Sequence, residues 1–245
     1  MTEQKRVYEE PFRIRSSEVR PDGSARLQTL CDLLQEVAGN QALELNFDVS
    51  QLRKRNLTWV LHRLDLRVEK YPKWRDRVTV RTWPSGGSGI KAYRDFVIQD
   101  SSEQTIARAL SYWLMIDLTD RRPARIPREV IDLAPPNVDH VVPVAKKRPA
   151  TPSEPEIQKI FDVRYSDLDV NNHVNNIRYI EWIVETHPNG AHVTSMDIEF
   201  KAECRYGCSI RAVTGRAGNH EVRSEVRVSE DEKPLATANL VTTSK

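Results

Sequence analysis

This chain of 245 residues carries one order of secondary-structure signals twice, on either side of a proline-crowded stretch, and that constrains its fold more than any other feature. Eight of the 14 prolines lie between Pro123 and Pro155. Proline fixes φ and removes a backbone donor, so a helix or a central strand is disfavoured there. Before that stretch, Phe12–Arg15 alternates like a strand, and an apolar face at helical spacing follows over 27–45, with Leu27, Leu30, Leu33, Leu34, Val37 and Ala38. Strand-like runs come next at Leu57–Val68, Arg77–Trp83, Lys91–Gln99 and Thr105–Leu118. After it, Phe161–Arg164 leads through a polar turn to a second helix with Val174, Ile177, Ile180, Ile183 and Val184 facing inward. Strands are expected at Thr194–Ala202, Ser209–Gly215, Glu221–Ser229 and Pro234–Thr243.

The halves superpose at an offset of 149, which brings Phe12 to Phe161, Arg15 to Arg164, Ser17 to Ser166 and Glu36 to Glu185. Further on, Leu64-Asp65-Leu66 meets Met196-Asp197-Ile198 at an offset of 132, so the first half carries 17 extra residues between helix and sheet, roughly Asn46–His62. A long helix followed by antiparallel strands describes a helix wrapped by a curved sheet, and two such units side by side would cover an exposed sheet edge. The expected fold is α+β, a tandem (double) hotdog. Its domains are an N-terminal hotdog at 1–118, a Pro-rich linker at 119–158 and a C-terminal hotdog at 159–245.

With 37 Lys+Arg against 35 Asp+Glu, the charge balance lacks the cationic surplus of a nucleic-acid binder. No apolar run approaches the roughly 18–20 residues that span a bilayer, and the start has no signal-like segment. A cytoplasmic protein without membrane or nucleic-acid partners is expected. Cys31, Cys204 and Cys208 do not form a zinc set with any His, so reduced thiols and no metal or other cofactor are expected.

The stretch Asp167–Asn176 packs two carboxylates, four amides and an imidazole into ten residues just before an apolar helix. Helix capping needs one such residue, or two. Seven point to chemistry as well. A helix N-terminus offers N–H groups and partial positive charge to a carbonyl oxygen or an oxyanion. Asn171 adds a neutral donor, His173 can donate or accept near neutral pH, and Asp169 can orient either.

The run from Ser166 to Glu185 resembles the signature of the acyl-acyl carrier protein thioesterases, known from plant plastids and bacteria. Asn56–Val60, Arg67–Trp74 with Tyr71-Pro72, and Ser111–Met115 running on to Ile126-Pro127 resemble the same family, so the similarity covers about Val7 to Thr242. It implies a tandem hotdog that hydrolyses fatty acyl-acyl carrier protein, releases free fatty acid and so ends chain elongation. Without a plant-type transit peptide, a bacterial member is expected. The family pattern maps its site onto Asp169, Asn171 and His173, with Glu203 and Cys204 as a second cluster on the following strand. Ala202 and Arg205-Tyr206 depart from the pattern, which bears on how the carrier protein docks.

Two mechanisms stay open. Cys204 attacks the thioester with His173 as base, or Glu203 activates water while Asn171, His173 and the helix N-terminus hold the oxyanion; the second is preferred. On a regular strand, positions 203 and 204 point to opposite faces, so both reach one pocket only at a bulge or strand end. Cys208 is read as packing. At the matching first-half positions stand Arg20, Asp22, Ser24, Tyr71 and Pro72, so one active site per chain is expected. The freed interior, lined by Leu30, Leu34, Trp59 and Leu61, would hold the acyl chain.

The partner implied is an acyl carrier protein bearing an acyl-phosphopantetheine. Seven cations within 119–150, against four acids, could steer this acidic protein, and Lys201 and Arg205 are equal candidates. A homodimer is compatible with the reading. Rival readings are a hotdog acyl-coenzyme A thioesterase, a hotdog hydratase and a non-catalytic acyl-thioester binding protein. The hydratases resemble an Asp and His five apart, whereas Asp169 and His173 are four apart.

Overall fold

The computed structural model describes residues 6–136, 138–187 and 192–243. By their packing these form two units, 1–144 and 145–245. In the first, β1 (Tyr8–Arg13) precedes α1 (Leu27–Glu44) and the short α2 (Val49–Arg53). Then come β2 (Leu57–Val68), β3 (Arg77–Ser88), β4 (Lys91–Asp100) and β5 (Thr105–Asp117). These strands form an antiparallel sheet in the order β1-β3-β4-β5-β2. Helix α1 buries Leu27, Leu30, Leu34, Val37 and Gln41, one stripe at helical spacing, and lies against β1 and β3.

The stretch read as a linker is partly folded into this unit. Strand β6 (Pro123–Ala124) pairs with β5, and α3 (Arg128–Ile131) starts directly after Pro127. Both prolines stand where a missing N–H does least harm, in a peripheral two-residue strand and just outside a helix. Ile126 and Val130 pack with Leu52, Ala92 and Met115 in a core cluster. Further along, the buried Asp95 carboxylate accepts from the Val141 N–H at 2.8 Å and lies 2.7 Å from His140 Nδ1.

The second unit holds β7 (Ile157–Asp162), α4 (Asn176–Glu185), β8 (Val193–Phe200), β9 (Ser209–Arg216), β10 (Glu221–Val228) and β11 (Pro234–Thr242). Its sheet order, β7-β9-β10-β11-β8, is that of the first unit strand for strand. Each unit is thus a helix on a five-stranded antiparallel sheet, the hotdog plan the repeat predicts. Strand β7 starts and ends earlier than the expected Phe161–Arg164, and the helix differs from the sequence reading as well. Helix α4 has ten residues against eighteen in α1, and Val174 is not in it. Val174 forms a bridge with Leu168 and leaves Tyr179, Ile180, Trp182 and Ile183 as the buried face of α4.

Candidate active site

The polar stretch before α4 divides its labour. Asp167 is buried, takes Arg164 Nη2 at 2.9 Å and lies 3.6 Å from Arg178 Nε of α4. Burial raises its pKa, but the Arg164 hydrogen bonds and the two guanidinium charges outweigh that and hold the carboxyl below its ordinary value. Asn175 is the N-cap of α4, its side chain accepting from Ile177 N–H at 3.0 Å. These two account for the structural demand at the helix start.

The remaining residues build a tight hairpin. Asp169 N–H donates to the His173 carbonyl at 2.7 Å, and Asn172 N–H closes back on the Asp169 carbonyl at 3.0 Å. Asn172 sits in the left-handed region at φ 60°, which asparagine tolerates better than most residues. The Asp169 carboxylate organises the loop from inside. It accepts from Asn171 N–H at 2.8 Å, Asn171 Nδ2 at 3.2 Å and His173 N–H at 3.2 Å. Asp169 therefore fixes the amide of Asn171 and the backbone of His173 together. Helix α4 starts three residues after His173, so the imidazole stands on the hairpin rather than on the helix.

The second cluster joins this hairpin through the backbone, because Val174 N–H donates to the Cys204 carbonyl at 2.9 Å. Strand β8 ends at Phe200, so 203 and 204 lie beyond it and strict alternation does not govern them. The side chains separate sharply. Glu203 is 41% exposed and brings Oε2 to 3.4 Å from His173 Nε2. Cys204 is buried, and its Sγ lies 3.8 Å from the Arg205 carbonyl. Burial, then the neighbouring Cys208 thiol, pushes the Cys204 thiol up to about 12. A thiol in that state is mostly protonated at neutral pH and is a poor nucleophile.

Asp169, Asn171, His173 and Glu203 are thus brought together, and Cys204, next in the chain to Glu203, is buried. Tyr179 was not singled out in the sequence. It is buried on α4 with its ring edge-on to Phe200 and Trp182, and among the described residues its hydroxyl has no hydrogen-bond partner of ordinary geometry. Burial raises its pKa, and the Cys204 thiol adds to the effect. Only packing reveals such a group, since a tyrosine on an apolar helix face carries no special spacing. In the first unit, Leu30 and Leu34 lie on the buried face of α1. Trp59 and Leu61 lie on β2, with the Trp59 ring N–H donating to the Phe47 carbonyl at 2.9 Å.

The model of the acyl-ACP thioesterase N-terminal domain matches residues 5–134, and that of the C-terminal domain matches 150–240. The chain belongs to the acyl-ACP thioesterase family. It is 34% identical to a chloroplastic palmitoyl-acyl carrier protein thioesterase of Arabidopsis thaliana, over 86% of this chain and 56% of that protein. It is equally identical to a chloroplastic dodecanoyl-[acyl-carrier-protein] hydrolase of Cinnamomum camphora, over 86% of this chain and 60% of the other. The chain therefore spans somewhat over half the length of these curated relatives. Among solved structures, an acyl-ACP thioesterase from Bacteroides thetaiotaomicron matches with TM-score 0.88 and 25% identity, covering 99% of this chain and 100% of that one. The 12:0-ACP thioesterase from Umbellularia californica matches with TM-score 0.86 and 27% identity, over 98% of both chains.

Proposed function

We propose that the chain hydrolyses the thioester of fatty acyl-acyl carrier protein, with Glu203 activating the attacking water. The observation that carries the residue assignment is the pairing of Glu203 with His173 at 3.4 Å, while the Cys204 thiol is buried, lies 3.8 Å from the Arg205 carbonyl and has its pKa pushed up by burial. Water gives a proton to the Glu203 carboxylate as its oxygen attacks the carbonyl carbon. The resulting oxyanion is stabilised by the Asn171 amide, which Asp169 orients, and by the His173 imidazole. Collapse expels the phosphopantetheine thiolate, which takes the proton back from Glu203. The products are a free fatty acid and the carrier thiol. Leu30, Leu34, Trp59 and Leu61 are the proposed lining of the acyl-chain site in the first unit.

Support for the carrier-protein substrate comes from the family and from relatives named for that reaction. The test is thiol release from matched acyl-carrier-protein and acyl-coenzyme A substrates across chain lengths. Preference for the carrier protein is the expected result. Equal or better turnover of coenzyme A esters would leave the hydrolase but remove the assigned partner, and no release from either would end the hydrolase reading.

A further inference from the structure

Three exposed apolar side chains stand on the loops of the second unit that carry the His173–Glu203 pair. Val170, at the tip of the hairpin and next to Asn171, is 96% exposed. Tyr165 is 79% and Tyr206 65% exposed, and their rings meet edge-on with centroids 6.4 Å apart. The loops that carry them are tied together at the backbone, with Val163 N–H on the Cys208 carbonyl at 2.9 Å and Val174 N–H on the Cys204 carbonyl at 2.9 Å. Folding leaves these groups in water although the same unit buries Phe200, Tyr179 and Trp182.

The charges around them are also unusual for this unit. Arg164, Arg178, Arg211, Arg216 and Arg227 each meet a carboxylate. Lys201, Arg205 and Lys233 are exposed and, among the described residues, have no carboxylate partner. Lys201 and Arg205 flank Glu203 and Cys204 in the chain, and Lys201 N–H donates at 2.8 Å to the carbonyl of Leu235, two residues after Lys233. Of the acids on these segments, Asp167 is held by Arg164, Asp169 by the hairpin backbone and Glu232 by Arg211 and Arg227, while Asp231 accepts from the Lys233 N–H at 3.1 Å and Asp162 and Glu230 are exposed.

We infer that Tyr165, Val170 and Tyr206, ringed by Lys201, Arg205 and Lys233, form the surface on which the acidic carrier protein docks. This rests on the proposed function and names its docking face. An apolar centre with a cationic rim fits a partner whose acidic surface surrounds an apolar patch, the rim guiding encounter and the centre holding the complex. It also sets the thiol arm beside the hairpin, so docking and delivery occur at one end of the unit. A small thioester handle could use the cations but would leave the tyrosines and Val170 without a role.

The probe is a carrier protein whose acyl chain is joined to the pantetheine by an amide, which cannot be hydrolysed, with binding read by fluorescence anisotropy. Lys201→Glu, Arg205→Glu and Lys233→Glu combined should weaken its binding at least about tenfold at low salt and flatten the salt dependence. Val170→Ser with Tyr206→Ser should weaken binding with the salt dependence retained. Circular dichroism and melting on the same variants keep misfolding separate. Unchanged binding in both sets would overturn the inference, and so would free coenzyme A displacing the carrier protein from the wild type at matched concentration. Thiol release is scored separately. A wild type that binds the probe through these residues but hydrolyses nothing would uphold the docking face and end the hydrolase reading.

Discussion

The two turns that precede α1 and α4 share one backbone and carry different chemistry. In the first, Arg20 N–H bonds to the Ser24 carbonyl, Gly23 N–H to Arg20, Arg26 N–H to Glu18 and Ala25 N–H to Pro72. In the second, Asp169 bonds to His173, Asn172 to Asp169, Asn175 to Asp167 and Val174 to Cys204, the same four links at the repeat offsets. The first turn is zipped further: Trp74 N–H reaches the Gly23 carbonyl at 2.9 Å, and Ser24 bridges Lys73. Among the described residues the second turn has neither link, and His173 and Glu203 face each other there. One backbone plan therefore folds with Arg20, Asp22 and Ser24 or with Asp169, Asn171 and His173. What the second set adds beyond the hairpin bonds is not needed for folding, which is the physical reason to read it as chemistry.

The most severe way to break this comparison is to remove the proposed base. Glu203→Gln should lower kcat by about a thousandfold or more with little change in melting temperature, since the carboxylate is partly exposed. Cys204→Ser should keep most of the activity; the reverse pattern, read by steady-state thiol release, would hand the reaction to Cys204. Next in size is the organiser of the hairpin. Asp169→Ala removes three hydrogen bonds that aim Asn171 and His173 and should cost about a hundredfold in kcat at unchanged KM. Partial recovery in Asp169→Asn would mark it as a positioning residue, and an equal loss in KM would contradict that.

A third contrast lies where the helices differ in length. At the offset that places Ala38 inside α1, the second unit has His187 just past the end of α4. Its two ring nitrogens are buried and, among the described residues, have no hydrogen-bond partner, and burial pushes its pKa down to about 4. The ordinary value is about 6.5, so on acidification the unfolded chain takes the proton first. The contribution is complete above pH 6.5 and is lost as pH falls towards 4. Wild type should lose on the order of 2 kcal/mol relative to His187→Leu over that range, read by denaturant midpoints. Parallel pH curves would refute it.

The smallest effect concerns the left-handed position in each turn, Gly23 at φ 82° and Asn172 at φ 60°. A Cβ on Gly23 meets nothing within 4 Å, so Gly23→Ala should cost only the backbone penalty, about 1 kcal/mol. Asn172→Gly should stay within about 0.5 kcal/mol of wild type. A larger loss would show that the Asn172 side chain has a role beyond tolerating the turn.

Much of this was legible because it depends on local pattern. Apolar spacing located α1, and alternation located most strands, although β1 and β7 start four residues before the expected Phe12 and Phe161 and β3 runs on to Ser88. The offset of 149 paired positions that the hydrogen bonds of the two turns then pair again. The density of polar residues before α4 marked the site. Less legible was the stretch rich in proline. There Ile126 and Val130 are buried by partners on α2, β4 and β5 that lie far away in the chain, a tertiary effect that local propensity does not contain.

By itself, then, the sequence determined the duplicated plan, the family and the dense polar run proposed as the site, because periodicity and composition are properties of neighbours in the chain. Three things were left to tertiary structure. It ended β8 at Phe200, which freed Glu203 and Cys204 from strand alternation and gave one to His173 and the other to the core. It assigned Asp167 and Asn175 to structure and Asp169 to orientation within a run of residues that look alike on paper. It also left Tyr165, Val170 and Tyr206 in water. The reason is common to all three: which face a side chain takes, and which charge meets it, depends on segments brought together only when the sheet closes around its helix.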